Sequence, residues 1–396
     1  MFNLLDGGII GNIIWVVMFM VMIFFYPRLM IMQMMYKLEQ SASMLEGLTN
    51  KARHVVTKKI SKKPSHDLNE KVSNFMEFFS IDPVNLDPVG IVKKLEHIQI
   101  LSENRFEYFV RKTSPKMDAE AQANIMMGLA GAISLNQISK VVRHFVEMVR
   151  KTKSLQIAML LQMQLPLIEQ ISKALLKGTE AFTNGWPVGD SVGGIVVAKM
   201  AGNSKTKEIE KDTVVTRKKI RGKNVILMKA KGPGSRLGRL GRAVEKLSKR
   251  EKISKIITVD AAAKLEGEKT GRIAEGIGVA IGGIGIDRSY IENLATTRNL
   301  PLDTFVVKMS QEEAIMPMVG DVLKSVDKMI TMVENNIAET KEKGTIVVVG
   351  VGNTVGVGND RKSSESAEKK VKEVIEIMKK REQSEKPKRN WFSFGF

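Results

Sequence analysis

The sequence predicts a C-terminal α/β domain with a mostly parallel sheet, preceded by an all-helical region and one N-terminal transmembrane helix. Three observations carry this reading. An uncharged run, GGIIGNIIWVVMFMVMIFFYP, lies between Asp6 and Arg28. From residue 66 to about 200 apolar residues recur at helical spacing, with no strand-like alternation. Beyond a charged connector, short β-branched runs then alternate with helical ones, the pattern of helices packed on a parallel sheet.

The first element spans residues 1–27. A helix crossing a hydrocarbon core needs about 20 apolar residues, and the run supplies them. No basic region precedes it and no small-residue cleavage pattern follows it, so it reads as a retained anchor and not as a signal peptide. Its N-terminal flank carries only Asp6, whereas Lys37, Lys51, Arg53, Lys58, Lys59, Lys62 and Lys63 follow it. By the positive-inside rule the N-terminus lies outside the cell membrane and the bulk of the chain is cytoplasmic. The lipid membrane is thus the first expected partner, and the basic helix at 28–63 can rest on anionic headgroups, each cation contributing about 1 kcal/mol.

Along that helix Ile31, Met35, Leu38, Ala42, Leu45, Leu48, Ala52 and Val55 recur at spacings of three and four. Such a seam serves either a homo-oligomer through residues 31–55 or packing on the chain's own next domain. A helical domain follows at 66–203, with Leu135, Ile138, Val142, Phe145 and Val149 on one face.

An α/β domain is expected at 205–382, opening with a charged connector from Lys205 to Lys223. Strands are predicted at 224–229, 255–259, 304–309 and 345–349, and helices near 237–250, 288–299, 311–340 and 364–381. The glycine-rich stretch 275–285 reads either as a strand or as a loop against a ligand. The tail at 383–396 is basic and aromatic, suited to a membrane interface or a partner groove.

Composition limits the chemistry. There is no cysteine, which excludes disulfides, thiolate metal sites and cysteine nucleophiles. The four histidines, His54, His66, His97 and His144, all precede the α/β domain, which therefore has no Ser-His-Asp triad of its own. A net charge of +19 implies an anionic neighbour, whether lipid, RNA or a phosphorylated ligand, and leaves RNA or ribosome contact open.

The strongest local signal is KGPGSRLGRLGR at 231–242, between a predicted strand and a predicted helix. Backbone N–H groups of a glycine loop aimed at an anion from a helix N-terminus form a phosphate cradle. Lys231, Gly232, Gly234, Ser235, Arg236 and Gly238 are the expected nucleotide or phosphate contacts, and Asp260, closing the next strand, stands where such folds carry a ribose-binding carboxylate. Pro233 removes one N–H from that cradle, and the three arginines exceed the usual complement, so a structural turn or a contact with RNA or lipid is the alternative. Asp260, Glu266 and Glu268 offer hard oxygen ligands for Mg²⁺, or else a solvated acidic turn. Gly350, Gly352 and Asn353 form a second phosphate-type turn after the last strand. The Gly350-Val-Gly-Asn353 stretch is similar to the strand-end motif of the hydrogenase-maturation and spore-germination peptidases, which makes a Mg-dependent hydrolase or peptidase the enzymatic alternative.

The anchor running into YPRLMIMQMMYKLEQSASMLEGL, the segment GTEAFTNGWPVGDSVGG, and the motifs KGPGSRLGRLG, VDAAAKLEGEKTG and VGVGNTVGVGN together resemble an archaeal family of membrane-anchored proteins of unknown function. The resemblance implies an archaeal host and a cytoplasmic α/β domain on a membrane tether. It implies no catalytic residue. The expectation is a membrane-tethered sensor or scaffold for a phosphorylated ligand or nucleotide, with the hydrolase and an RNA- or ribosome-recruiting anchor as alternatives.

Overall fold

The computed structural model describes residues 4–83, 90–282 and 285–385. The basic-aromatic tail from 386 onward lies outside them. In chain order the helices and strands are α1 (Leu4–Ile60), α2 (His66–Phe75), α3 (Ile91–Thr113), α4 (Ala119–Thr152), α5 (Leu155–Asn184), α6 (Val192–Ala201), β1 (Thr206–Glu210), β2 (Thr213–Ile220), β3 (Lys223–Ala230), α7 (Leu240–Ser248), β4 (Ile253–Ala263), β5 (Ile273–Ile277), α8 (Ile286–Arg298), β6 (Leu302–Met309), α9 (Gln311–Ile315), α10 (Gly320–Glu339), β7 (Thr345–Gly350) and α11 (Arg361–Glu385).

Two compact units result, one made of the chain up to Lys51 with Ile133–Lys173, the other of Ala52–Ala132 with the chain from Ala174 onward. In the first, Leu38, Ala42 and Leu45 of α1 close a core with Val142, Val146 and Val149 of α4 and Ala158, Leu161 and Leu165 of α5. The helical seam read from the sequence is filled at these positions by the chain's own helices. Arg143 bonds Glu39 at 2.6 Å and Glu46 at 2.7 Å, and Arg150 bonds Glu39 at 2.6 Å, which sets α4 antiparallel to α1. Upstream, Ile13, Trp15, Phe19, Phe25 and Leu29 are exposed along a helix long and apolar enough to cross a membrane. Span and basic segment are one continuous helix.

The second unit is built on a seven-stranded sheet in the order β1-β2-β3-β7-β4-β6-β5. It is mixed, which corrects the mostly parallel sheet expected. The pairs β3–β7, β7–β4 and β4–β6 are parallel, whereas β1–β2, β2–β3 and β5–β6 are antiparallel. All four predicted strands belong to the parallel centre. Buried on both faces, they read as near-continuous aliphatic runs. The antiparallel edges come from segments whose charge hid them. The stretch read as a charged connector is the hairpin β1–β2 and the turn from β2 into β3. Its second turn, Arg221-Gly222, holds φ values of 49° and 78°, both left-handed, as a two-residue hairpin loop requires.

Helix α6 is hydrophobic all round and belongs to the sheet's core, where Val192, Ile195, Val196 and Val197 meet Leu227, Ile257, Val259 and Val348. Helical pattern alone groups it with the helical domain at 66–203; its apolar residues pack on the sheet. It lies so close to the sheet that a Cβ on Gly193 would stand 2.3 Å from the carbonyl oxygen of Val351 and 2.4 Å from that of Val259. The opposite face of the sheet is covered by α7 and α8, through Leu240, Val244, Leu247 and Ile291.

Candidate functional site

The glycine loop leaves β3 at Ala230 and reaches α7 at Leu240, and nearly every group expected to hold an anion is bonded to the protein itself. Gly232 N–H donates to Asn359 Oδ1 at 2.9 Å, Gly234 N–H to Glu120 Oε2 at 2.5 Å, and Ser235 N–H to Asn124 Oδ1 at 2.8 Å. Further along, Arg239 N–H donates to Thr213 Oγ1 at 2.7 Å and Gly241 N–H to Asp287 Oδ1 at 2.7 Å. The peptide bond between Gly232 and Pro233 is cis.

The basic side chains are committed in the same way. Arg236, only 9% exposed, pairs with Glu120 at 2.5 Å and Asp212 at 3.0 Å. Arg239 pairs with Glu103 at 2.6 Å, Lys231 with Glu208 at 2.7 Å, and Arg242 with Glu96. Glu96 is buried, also accepts from the Tyr290 hydroxyl, and is held below the usual carboxylate range by the Arg242 guanidinium. Two of these carboxylates, Glu96 and Glu103, come from α3, where with Glu107 they sit seven and four residues apart and so share a face. Glu120 comes from the first turn of α4, whose start Asp118 caps by accepting from Ala121 N–H.

The second glycine turn locks onto the first. Asn353 Oδ1 accepts from Ser235 Oγ at 2.9 Å and from Val355 N–H at 2.8 Å, while its own N–H donates to Asp190 Oδ2 at 2.8 Å. The Thr354 hydroxyl lies 3.0 Å from the carbonyl oxygens of both Lys231 and Gly234. Gly350 and Gly352 pack against Gly193 and Asp190. Beneath the two turns Lys229 is 2% exposed and donates to Ala230 O at 2.8 Å and Asn359 Oδ1 at 3.0 Å. Burial lowers its pKa to about 7.

Asp260 does not join the glycine loop. Since β7 lies between β3 and β4, the strand that follows the loop in sequence is not its neighbour in the sheet. Asp260 is 3% exposed and accepts from Ala261 N–H at 2.6 Å. Burial, with Asp190 nearby, raises its pKa well above the ordinary value, and burial raises Asp190 too. Glu266 is exposed, and Glu268 accepts from Leu265 N–H within its own turn at 2.8 Å. Among the described residues no three acidic or histidine side chains gather as a metal site would require.

What the loop does border is a cleft of about 260 Å³. Phe106, Met126, Met127, Ala130 and Leu237 give it an apolar lining, and Lys211, Arg236 and Arg239 alternate with Glu103, Glu107 and Asp212 around it. Three cations face three carboxylates, so the cleft is a mostly apolar pocket with a polar, charge-balanced rim, the usual make-up of a small-molecule site. Of the expected contacts, Ser235, Arg236 and Gly238 line it; Lys231, Gly232, Gly234, Asp260, Gly350, Gly352 and Asn353 do not.

A model of a family's N-terminal domain, described as a protein of unknown function, matches residues 12–185, and a model of the same family's C-terminal domain, likewise of unknown function, matches residues 188–358. The chain belongs to the DUF1512 family. No curated protein matches it. The DUF1512 C-terminal match begins just before α6 and contains both glycine turns, whereas Glu96, Glu103 and Glu120 fall in the N-terminal match. Those acids carry no motif of their own, because acids on a helix usually face solvent. Their recurrence at turn spacing opposite arginines at 236, 239 and 242 was the available signal.

Proposed function

We propose that this DUF1512 protein is a membrane-tethered binding module, a sensor or scaffold, whose ligand occupies the cleft between α3, α4 and the glycine loop. The observation that carries the reading is the cleft itself, an apolar floor beside ion pairs that a ligand can exchange into. Lys211 is 42% exposed and pairs with Glu107 at 2.5 Å. A nucleotide would rest its base on Phe106, Met126 and Met127 and place its phosphate at Lys211 and Arg239 in competition with Glu107 and Glu103. In this reading the phosphate contacts shift from the Gly232–Ser235 amides, already donated inward, to the loop's outer side. The tether is the exposed apolar part of α1, with the N-terminus outside and the second unit in the cytoplasm. The archaeal setting rests on the sequence resemblance.

The test is a thermal-shift screen of the full chain in detergent against nucleotides and sugar phosphates, repeated with Ala130→Phe to fill the cleft. A ligand at a hundred times its Kd stabilises by about 2.7 kcal/mol, enough to detect. Stabilisation abolished by Ala130→Phe is the expected result; a panel without effect would remove the reading. Deleting residues 4–28 should move the protein from the membrane to the soluble fraction.

A further inference from the structure

A second pocket, of about 320 Å³, lies where β1 and β2 meet α7, and its lining is unlike that of the cleft. Lys205, Lys207, Arg217, Lys246 and Arg250 surround it, with Ile209, Val215 and Leu247 between them, and no carboxylate lines it. Two of the five cations are already engaged: Lys246 donates to Ile209 O at 2.7 Å and pairs with Glu210 at 3.3 Å, and Arg217 pairs with Glu251. Among the described residues Lys205, Lys207 and Arg250 have no acidic partner, and all three are exposed.

Edge strands often carry lysine to discourage pairing with another sheet, and β1 is an edge strand. That accounts for Lys205 and Lys207. It does not account for Arg217 on the second strand, nor for Lys246 and Arg250 on and just after α7, all converging on the same hollow. Like charges gathered around a concave, partly apolar surface repel one another until an anion occupies it.

We propose that this pocket binds a compact phosphorylated compound with two or more phosphate groups, its cations supplying the phosphate contacts and Ile209, Val215 and Leu247 seating its less polar part. The volume is at the small end of ligand pockets, suited to a small molecule or a single headgroup. Two phosphates bridging five cations would make several charge-assisted hydrogen bonds. The site does not depend on the cleft at the glycine loop, since the two share no lining residue.

The probe is inorganic tripolyphosphate, which has no apolar body to occupy the cleft, titrated against the full chain in detergent with sodium sulfate of equal ionic strength as the control. Tripolyphosphate should bind where sulfate does not. Lys207→Glu and Arg250→Glu should each weaken binding about tenfold or more, while Lys328→Glu, an exposed lysine on α10, should leave it unchanged. Short-chain diacylglycerol pyrophosphate added in competition identifies the source: displacement points to a lipid headgroup, no displacement to a soluble compound, and either result keeps the site. Binding no tighter than sulfate, equal losses in all three variants, or an RNA oligonucleotide held by Lys207 and Arg250 while tripolyphosphate is not, would overturn the proposal. Since both side chains are exposed and unpaired, unchanged melting of the variants verifies that they fold.

Discussion

Two basic regions flank α7, and they use charge in opposite ways. Around the glycine loop each of Lys231, Arg236, Arg239 and Arg242 meets a carboxylate, and the loop's amides donate inward. At the sheet edge Lys205, Lys207 and Arg250 converge with no acid among them. Basic composition alone therefore does not locate an anion site; what distinguishes the two is whether the protein has already neutralised its own cations. The arginine-rich loop is a clamp, and at the plainer lysine edge Lys205, Lys207 and Arg250 are left without an acidic partner among the described residues.

The largest effect expected on that comparison comes from disturbing the frame beneath the clamp. Gly193→Ala places a methyl group against two backbone carbonyls that no rotamer change can relieve. It should cost about 4 kcal/mol or more, read as loss of cooperative unfolding of the sheet unit. The second effect belongs to Lys229. Its folded pKa of about 7 lies below its unfolded value, so between them the unfolded chain binds a proton that the folded one does not. Stability from this group must then rise with pH from about 7 to about 10, by roughly 4 kcal/mol. Subtracting the pH profile of Lys229→Met from that of the parent should isolate this rise; identical profiles would refute the buried neutral lysine.

Removing one partner of a clamp pair should cost less. Glu96→Ala leaves Arg242 and the Tyr290 hydroxyl without their acceptor and should lower stability by about 2 kcal/mol. The Glu96 pKa is lowered in the fold, so its contribution is present at neutral pH and lost as pH falls through the carboxylate range. Below that range parent and variant should converge. The smallest effect falls on the other side of the comparison: Lys205→Ala, Lys207→Ala and Arg250→Ala should each stay within about 0.5 kcal/mol of the parent, because no partner is lost. A Lys207→Ala cost as large as that of Glu96→Ala would erase the distinction between the two regions.

Much of this frame was legible in the sequence. The central strands announced themselves because a strand buried on both faces has little choice but aliphatic residues, as Ile346, Val347, Val348 and Val349 of β7 illustrate. Charged edge strands have no such constraint, and Thr213-Val-Val-Thr216 disappeared into its lysines. At the site, glycine spacing marked a turn that could cradle an anion but not what fills it. Gly232, Gly234 and Ser235 donate to Asn359, Glu120 and Asn124, partners more than a hundred residues away in the chain. Local pattern reports that a turn is tight, whereas tertiary contact decides whether a ligand or the protein fills it.

The clamp is tested most directly by a double-mutant cycle on Glu120 and Arg236, measuring unfolding free energies of Glu120→Gln, Arg236→Met and the pair. A clamp predicts a coupling energy of about 2 kcal/mol, since Arg236 is nearly enclosed and Glu120, at 2.5 Å, is the nearer of its two acidic partners. Additive effects with no coupling would mean that the arginine is free to meet an external anion, and the loop would return to being the phosphate site its sequence suggests.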